Sequence, residues 1–208
     1  MKNVRSENSQ KNKKNGALVL NKGISEKRQS ADSGEMRERT FIPHREQSGD
    51  IKPVLGLSPN KLERITKILN KTLSNQHVLY IKTRNYHWNL VGKRFHTLHL
   101  FLEELYSQMA SAIDETAERV RVLGGVPHAS MREFLTEATL IEDEAHLIEG
   151  DEAIAHLLRD HQSCVVALRQ SIDELADKIG DTGTADFMTD LMKTHEKTAW
   201  MLRSHLAV

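Results

Sequence analysis

The stretch from Asn85 to Gly125 reads NYHWNLVGKRFHTLHLFLEELYSQMASAIDETAERVRVLGG, and its pattern decides the fold prediction. No glycine or proline occurs between Phe95 and Leu123. Apolar residues recur there at steps of three and four, which is the spacing of one face of an α-helix. We therefore predict one long amphipathic helix whose apolar face carries Leu98, Leu102, Leu105, Met109, Ile113, Val120 and Leu123.

Five side chains in this stretch are of types that bind metal ions: His87, His99, Glu103, Asp114 and Glu118. Residues four apart lie on one face of a helix, so His99 and Glu103 form a first pair, and Asp114 and Glu118 form a second pair. The two pairs are separated by an axial rise of roughly 16 Å, whereas a metal–ligand bond is about 2 Å long. One straight helix therefore cannot bring both pairs to the same ion.

Two copies of this helix, packed antiparallel about a two-fold axis, would remove the obstacle. Both pairs are placed symmetrically about a point between Gln108 and Met109. An axis at that point puts the first pair of one chain opposite the second pair of its partner, and makes two equivalent sites per dimer. His87 could fold back beside His99 as a further nitrogen ligand. On spacing alone the alternative stays open, because charged pairs four residues apart are also typical of a solvated helix face.

The same residues carry a family resemblance. Several motifs, and the numbers of residues between them, resemble the Dps family of mini-ferritins over about residues 58–208. These motifs are His87-Trp88-Asn89, His99, Glu103, Asp114, Ala117-Glu118-Arg119 and Leu123-Gly124-Gly125. The resemblance implies a ferritin-like four-helix fold, a dodecameric homo-oligomer and ferroxidase sites at two-fold interfaces. The sequence departs from many members at Glu103, where they have aspartate; the carboxylate is kept and one methylene is added.

The resemblance also implies a reaction, in which Fe(II) is oxidised by hydrogen peroxide in preference to dioxygen and stored as ferric mineral, so that DNA is protected. His87, His99 and Glu103 of one subunit would bind the iron together with Asp114 and Glu118 of the partner. A mixed imidazole and carboxylate set suits Fe(II), and Zn or Mn could compete. We therefore expect a ferroxidase; the alternative is a structural nucleoid protein that coats DNA and binds metal secondarily.

Several other side chains have two interpretations each. Carboxylates at Asp181, Asp186 and Asp190 fall at the start of the last predicted helix, where the helix dipole favours them. In a Dps-like shell the same region lines acidic three-fold pores, which would draw Fe(II) inward. Trp88 is a candidate electron donor or an aromatic residue packed beside the site. The sequence also contains three histidines that we interpret as packed or surface residues: His156, His161 and His195.

The 29 basic and 29 acidic residues cancel, but they are unevenly distributed. Residues 1–57 contain 12 Lys and Arg against 7 Asp and Glu, which leaves 17 against 22 for residues 58–208. Residues 1–57 are poor in large apolar side chains, so we predict a disordered arm. Its densest basic cluster, Lys11, Lys13 and Lys14, predicts either non-specific DNA contact or a solubilising tail. Translation from Met36 instead of Met1 would remove eight basic residues.

Several classes of protein are disfavoured by what the sequence lacks. Cys164 is the only cysteine, so no intrachain disulfide can form, which fits a reducing cytoplasm. No apolar run approaches the 18 or so residues of a membrane helix. No glutamate is followed three positions later by histidine, which disfavours a di-iron site within one bundle. No phosphate-binding loop or dinucleotide fingerprint is present.

Helix boundary signals complete the fold prediction. Ser58 and Pro59 predict the start of a first helix that runs to near His87. Residues 91–94 and the Gly124-Gly125 pair bound the second helix. A short helix at residues 131–137 is expected in an acidic crossover, followed by helices at about 151–179 and 184–206. The prediction is an all-α, ferritin-like four-helix bundle at residues 58–208, with a long crossover between its second and third helices.

Overall fold

The structure is a computed structural model that describes residues 53–144 and 146–207. Its four long helices are α1 (Pro59–Asn89), α2 (Phe95–Val122), α4 (Gly150–Asp173) and α5 (Thr182–Leu206). A short helix, α3 (Met131–Glu137), lies in the crossover between α2 and α4. The most extensive packing is of α1 on α2 and of α4 on α5. The predicted all-α bundle with its long crossover is confirmed.

The predicted arm lies almost wholly outside the described residues, which include only its last five positions. Lys11, Lys13 and Lys14 are among the residues not described, as are Met1 and Met36. The arm, its DNA contacts and the division at residue 57 therefore stay predictions.

Glycines end the helices where the sequence predicted. Gly92 has a φ of 107° in the turn between α1 and α2, and Gly124 has a φ of 79° directly after α2. Both angles favour glycine, which has no Cβ to clash with the backbone. The Gly125 N–H donates to the Val120 carbonyl at 3.0 Å and satisfies one of the last helical acceptors. At the start of α1, Ser58 is the N-cap, but its side chain makes no capping bond.

Two local features differ from the prediction. The helix predicted at about residues 151–179 is α-helical only to Asp173. Its last part, Glu174–Ile179, is a π-helix, and Gly180 ends it with a φ of 80°. Two short strands, β1 (Leu90–Val91) and β2 (Ile148–Glu149), pair in parallel. The sequence showed no strand pattern because two residues are too few to express an alternation. This pairing ties the end of the crossover to the turn after α1.

The interior consists of two apolar clusters. One contains Tyr86, Leu98, Leu102, Leu105 and Met109 together with residues of α4 and α5. The other is built around residues such as Ile65, Val120, Leu175 and Met188. In the part of the chain that the structure describes, no helix is both long enough and apolar enough to cross a membrane.

Candidate metal centre

Two of the predicted ligands, His87 and His99, are in direct contact. His87 lies in the last turn of α1 and His99 in the second turn of α2, and the tight turn at Gly92 folds the two helices together. Their rings stack with centroids 3.7 Å apart and an interplanar angle of 17°. His87 is buried and His99 half-buried. The structure therefore brings these two predicted nitrogen ligands together.

Reciprocal hydrogen bonds fix the orientation of both rings. Nδ1 of His87 is 2.9 Å from the carbonyl oxygen of His99, and Nδ1 of His99 is 2.9 Å from the carbonyl oxygen of His87. A carbonyl oxygen can only accept, so each Nδ1 must be the donor. In the neutral form of each ring, the lone pair then lies on Nε2. This is the state in which a histidine binds a metal ion, with its other nitrogen held by a backbone acceptor.

The three candidate carboxylates lie on the exposed face of α2. Glu103, Asp114 and Glu118 are all exposed, and Glu103 follows His99 by one turn. Within the described residues of one chain, no three His, Cys, Asp or Glu side chains lie close enough to hold a metal ion. One chain therefore presents an oriented histidine pair and separate carboxylates, without a complete site.

Aromatic and cationic side chains surround the histidine pair. Tyr106 packs edge-on against His87, with ring centroids 5.2 Å apart. The Arg84 guanidinium carbon lies 4.9 Å from the ring centroids of both Tyr106 and Trp88. Trp88 itself is 63% exposed, so its indole stacks on a cation at the surface of the chain and not in the core.

The three aspartates near the start of α5 have different environments. Asp181 is buried and caps the helix, accepting a hydrogen bond from the Thr184 N–H at 3.1 Å. Its carboxylate also lies 3.8 Å from the Arg119 guanidinium. Asp186 and Asp190 are exposed, and Asp190 accepts from Lys193 at 3.0 Å. The cap and the ion pair give Asp181 a structural role, so the pore prediction now rests on Asp186 and Asp190.

A network that sequence reasoning missed lies at the end of α1, next to the histidine pair in sequence. Tyr86, next to His87, donates a short hydrogen bond to the Asp143 carboxylate. His156 Nδ1 lies 3.1 Å from the same carboxylate, and Asn85 donates to the Asp143 carbonyl at 2.7 Å. Burial and the contact with Asp143 raise the pKa of Tyr86. The network connects the end of α1 to the crossover and to α4, and no local sequence signal marks its members as partners.

His161 and His195 form a second, buried histidine pair on α4 and α5. Their Nδ1 atoms are 2.9 Å apart. Burial lowers the pKa of His195 to about 4 and lowers that of His161 well below its usual value. Both rings are therefore neutral at pH 7. Of the two interpretations offered by the sequence, packed or surface, the structure supports the first for this pair.

This second pair predicts that stability falls in mild acid. In the unfolded chain both histidines titrate near pH 6.5, so below that value the unfolded state binds protons that the folded state excludes. The contribution of these two neutral histidines to the free energy of unfolding is complete above pH 6.5 and is lost as the pH falls toward 4. Urea unfolding from pH 7 to 4.5 should show this slope, and a His161→Gln/His195→Gln variant should flatten it. Equal slopes in both proteins would contradict the assignment.

Comparison with known proteins agrees with the fold. Residues 66–208 match the family model of the ferritin-like domain. An uncharacterised low temperature-induced protein of Nostoc sp. is 41% identical over 152 residues, which cover 73% of this chain and 85% of that protein. DNA protection during starvation protein 2 of Bacillus anthracis is 35% identical over 144 residues, covering 69% and 97%.

A solved structure supports the same relationship. The Dps protein of Vibrio cholerae O1, described as a member of a broad superfamily of ferritin-like diiron-carboxylate proteins, superposes with a TM-score of 0.70 at 33% identity. The match covers 75% of this chain and 97% of that one. The chain therefore belongs to the ferritin-like proteins and, among them, to the Dps family.

Proposed function

We propose that the protein is a ferroxidase and iron-storage protein whose sites are shared between subunits. Two Fe(II) ions would each give up one electron, and one hydrogen peroxide would accept both, its O–O bond breaking to yield two waters with two protons from solution. The ferric product would be stored as mineral inside a dodecameric shell, which removes both reactants that damage DNA. The observation that carries the proposal is the stacked pair of His87 and His99, both oriented with Nε2 free.

The exposed face of α2 supports the two-fold arrangement. About the point between Gln108 and Met109, the central residues Ser107 and Ala110 are symmetry mates, and both are small and exposed. Small side chains allow two helices to approach closely. Farther out, Phe95 faces Val122, and these apolar side chains are 44% and 56% exposed in the single chain. An antiparallel contact would bury them against each other while it brings the two ligand pairs together.

Each proposed ligand has a distinct role. His87 and His99 would bind through Nε2, with their Nδ1 atoms held by backbone carbonyls. Glu103 would add a carboxylate from the same subunit, and its extra methylene makes it the most adjustable ligand of the set. Asp114 and Glu118 of the partner subunit would supply the remaining negative charge, and Glu118 is the strongest ligand by family resemblance. A site with imidazole and carboxylate donors accepts Fe(II), and Zn or Mn would compete for it.

The proposal is tested by measuring Fe(II) bound per subunit together with peroxide consumption. The wild-type protein, assayed without DNA, should consume peroxide in proportion to the Fe(II) supplied. A His99→Ala/Glu118→Gln variant should lose both Fe(II) binding and oxidation. Full peroxide-dependent oxidation by that variant would refute the ligand assignment.

Iron would enter such a shell through acidic openings. Asp186 and Asp190 are exposed on the first half of α5 and would line the three-fold pores. A ring of carboxylates concentrates cations by focusing the electrostatic field. The pore role of these two residues is part of the proposed function. Replacing both by Asn should slow iron uptake, and more strongly at low than at high ionic strength.

A second function, DNA binding in the cytoplasm, is favoured by the basic charge of residues 1–57 and by the names of relatives called DNA protection during starvation proteins. Deleting residues 1–35 removes eight Lys and Arg, among them the cluster of Lys11, Lys13 and Lys14, and four Glu and Asp. We predict that the deletion weakens DNA retention at low salt and flattens its salt dependence, because fewer phosphate counterions are released. A gel-shift series across ionic strength measures both effects. Unchanged retention would end the DNA-arm proposal and leave the ferroxidase proposal untouched.

A further inference from the structure

A small cavity of about 30 Å³ lies in the middle of the bundle. Leu105 and Met109 of one apolar cluster and Leu191 of the other line it, so it marks the place where the two clusters meet. Each of the four long helices also contributes at least one polar residue, from the set Gln76, Gln108, His161, His195 and Thr198. The lining is thus largely apolar, with a few polar groups supplied by all four helices.

Two polar atoms of the residues that line this cavity are buried and lack hydrogen-bond partners. They are Oε1 of Gln76 and Nε2 of His161. Both side chains belong to residues that are at most 5% exposed. The Gln76 amide nitrogen is already directed at the Ala112 carbonyl, 3.4 Å away, so turning the amide over would leave a donor unpaired instead. Buried polar atoms are almost always satisfied, so two of them beside one cavity indicate a ligand between them.

The tautomers of the histidine pair decide whether His161 presents a donor or an acceptor at Nε2. In the Nδ1 contact between His161 and His195, one neutral ring must donate and the other must accept. The ring that donates through Nδ1 keeps a lone pair on Nε2, and the other ring carries a proton there. Oε1 of Gln76 needs a ligand that donates, and Nε2 of His161 needs one that accepts or donates according to its tautomer. A ligand that can do both satisfies either arrangement.

Charge and size restrict the ligand further. Among the described residues that line the cavity, none is Asp, Glu, Lys or Arg, and burial keeps both histidines neutral. A buried ion would therefore have no counter-charge, at a large cost in free energy. A water molecule needs about 10–15 Å³ of such space, so this cavity holds about two oxygen atoms. The missing counter-charge therefore disfavours a metal ion, and the volume excludes larger organic molecules.

We propose that the cavity binds small neutral hydroxylic molecules, held between Gln76 and the pair of His161 and His195. Two water molecules satisfy the requirement, and hydrogen peroxide also supplies two oxygen atoms that can each donate and accept a hydrogen bond. Occupancy by water is independent of the ferroxidase proposal, whereas occupancy by peroxide rests on it. The site differs from the interface site in lying inside one bundle and in having no carboxylate.

Crystals of the full-length protein, grown with and without hydrogen peroxide, test the proposal directly. We expect density within about 2.6–3.2 Å of both Gln76 Oε1 and His161 Nε2. Two separate oxygen atoms identify water, and a pair at bonding distance, only in the peroxide-treated crystals, identifies peroxide. Either result supports the site. An empty cavity, or an anomalous signal from a metal ion, overturns it.

The sign of one stability change provides a second test. If a ligand bridges Gln76 and His161, Gln76→Met removes a satisfied hydrogen bond and should lower the thermal unfolding midpoint by a few degrees. If the cavity is dry, the same change removes an unsatisfied acceptor and should raise the midpoint. Thr194→Val is the matched control, because Thr194 lines the same cavity but is exposed, and its hydroxyl donates only to the Asp190 carbonyl at 3.0 Å. A raised midpoint in Gln76→Met, with no change in the control, contradicts the proposal.

Discussion

Replacing Glu118 by Gln is expected to reduce peroxide-dependent Fe(II) oxidation by at least about 100-fold. Removing a group that only orients a metal ligand costs up to about 100-fold, and removing a ligand itself should cost at least as much. The substitution keeps the size of the side chain and removes its negative charge. Glu118 is exposed in the single chain, so the fold should not depend on it. The defect should therefore appear in Fe(II) binding and oxidation, with an unchanged oligomer mass.

Glu115→Gln is the matched control for this variant. Glu115 is exposed on the same helix, one turn away along α2, but it does not belong to either ligand pair. Its replacement removes the same charge and should leave the rate within about two-fold of wild type. If both variants lost activity equally, the loss would reflect the general charge of α2 and not ligation by Glu118.

Replacing Asp160 by Leu is expected to lower the free energy of unfolding by about 3–5 kcal/mol. Lys82 on α1 is 8% exposed and donates to the Asp160 carboxylate on α4 at 2.7 Å. Without that partner, the ammonium group stays buried with no counter-charge. This ion pair connects α1 to α4 in the interior of the bundle, so its loss should affect the whole domain.

The double variant Lys82→Met/Asp160→Leu separates a missing partner from a packing defect. Removing both charges leaves no buried ion, so most of the lost stability should return. Guanidinium unfolding midpoints of the wild type and the three variants, including Lys82→Met alone, complete the cycle. A double variant that is less stable than either single variant would show that packing, and not the unpaired charge, causes the effect.

The sequence was sufficient for the long helices, because they depend on periodicity. The grouping of the ligands rests on the same spacing and stays a prediction. The apolar steps from Leu98 to Leu123 defined α2, and the structure confirms that helix at Phe95–Val122. The separation of Glu103 from Asp114 ruled out a single-chain site by length alone. That conclusion needed no knowledge of side-chain positions.

Long-range contacts could not be read from the sequence. The stacking of His87 on His99 depends on how the turn at Gly92 joins two helices, and the contact of Tyr86 with Asp143 spans 57 positions. Asp181 was grouped with pore carboxylates because it precedes α5, but its burial and its contact with Arg119 are tertiary properties. The two-residue strands were too short to produce a pattern.

The central claim, that each metal site needs two chains, is tested most directly by mixing two inactive variants. One chain carries His99→Ala and Glu103→Ala, and the other carries Asp114→Ala and Glu118→Ala. A dimer of one chain of each kind has one site with both ligand pairs removed and one site with both intact, since an isologous interface pairs unlike ends. Each variant alone should be inactive.

The measurement is Fe(II) oxidation after the two variants are co-expressed in equal amounts and assembled together. Random pairing should restore about a quarter of the wild-type activity, since about half of the dimers are mixed and each has one intact site. Mixing the separately assembled shells, without subunit exchange, is the control and should restore nothing. Activity that stays absent in the co-assembled protein would contradict the shared site.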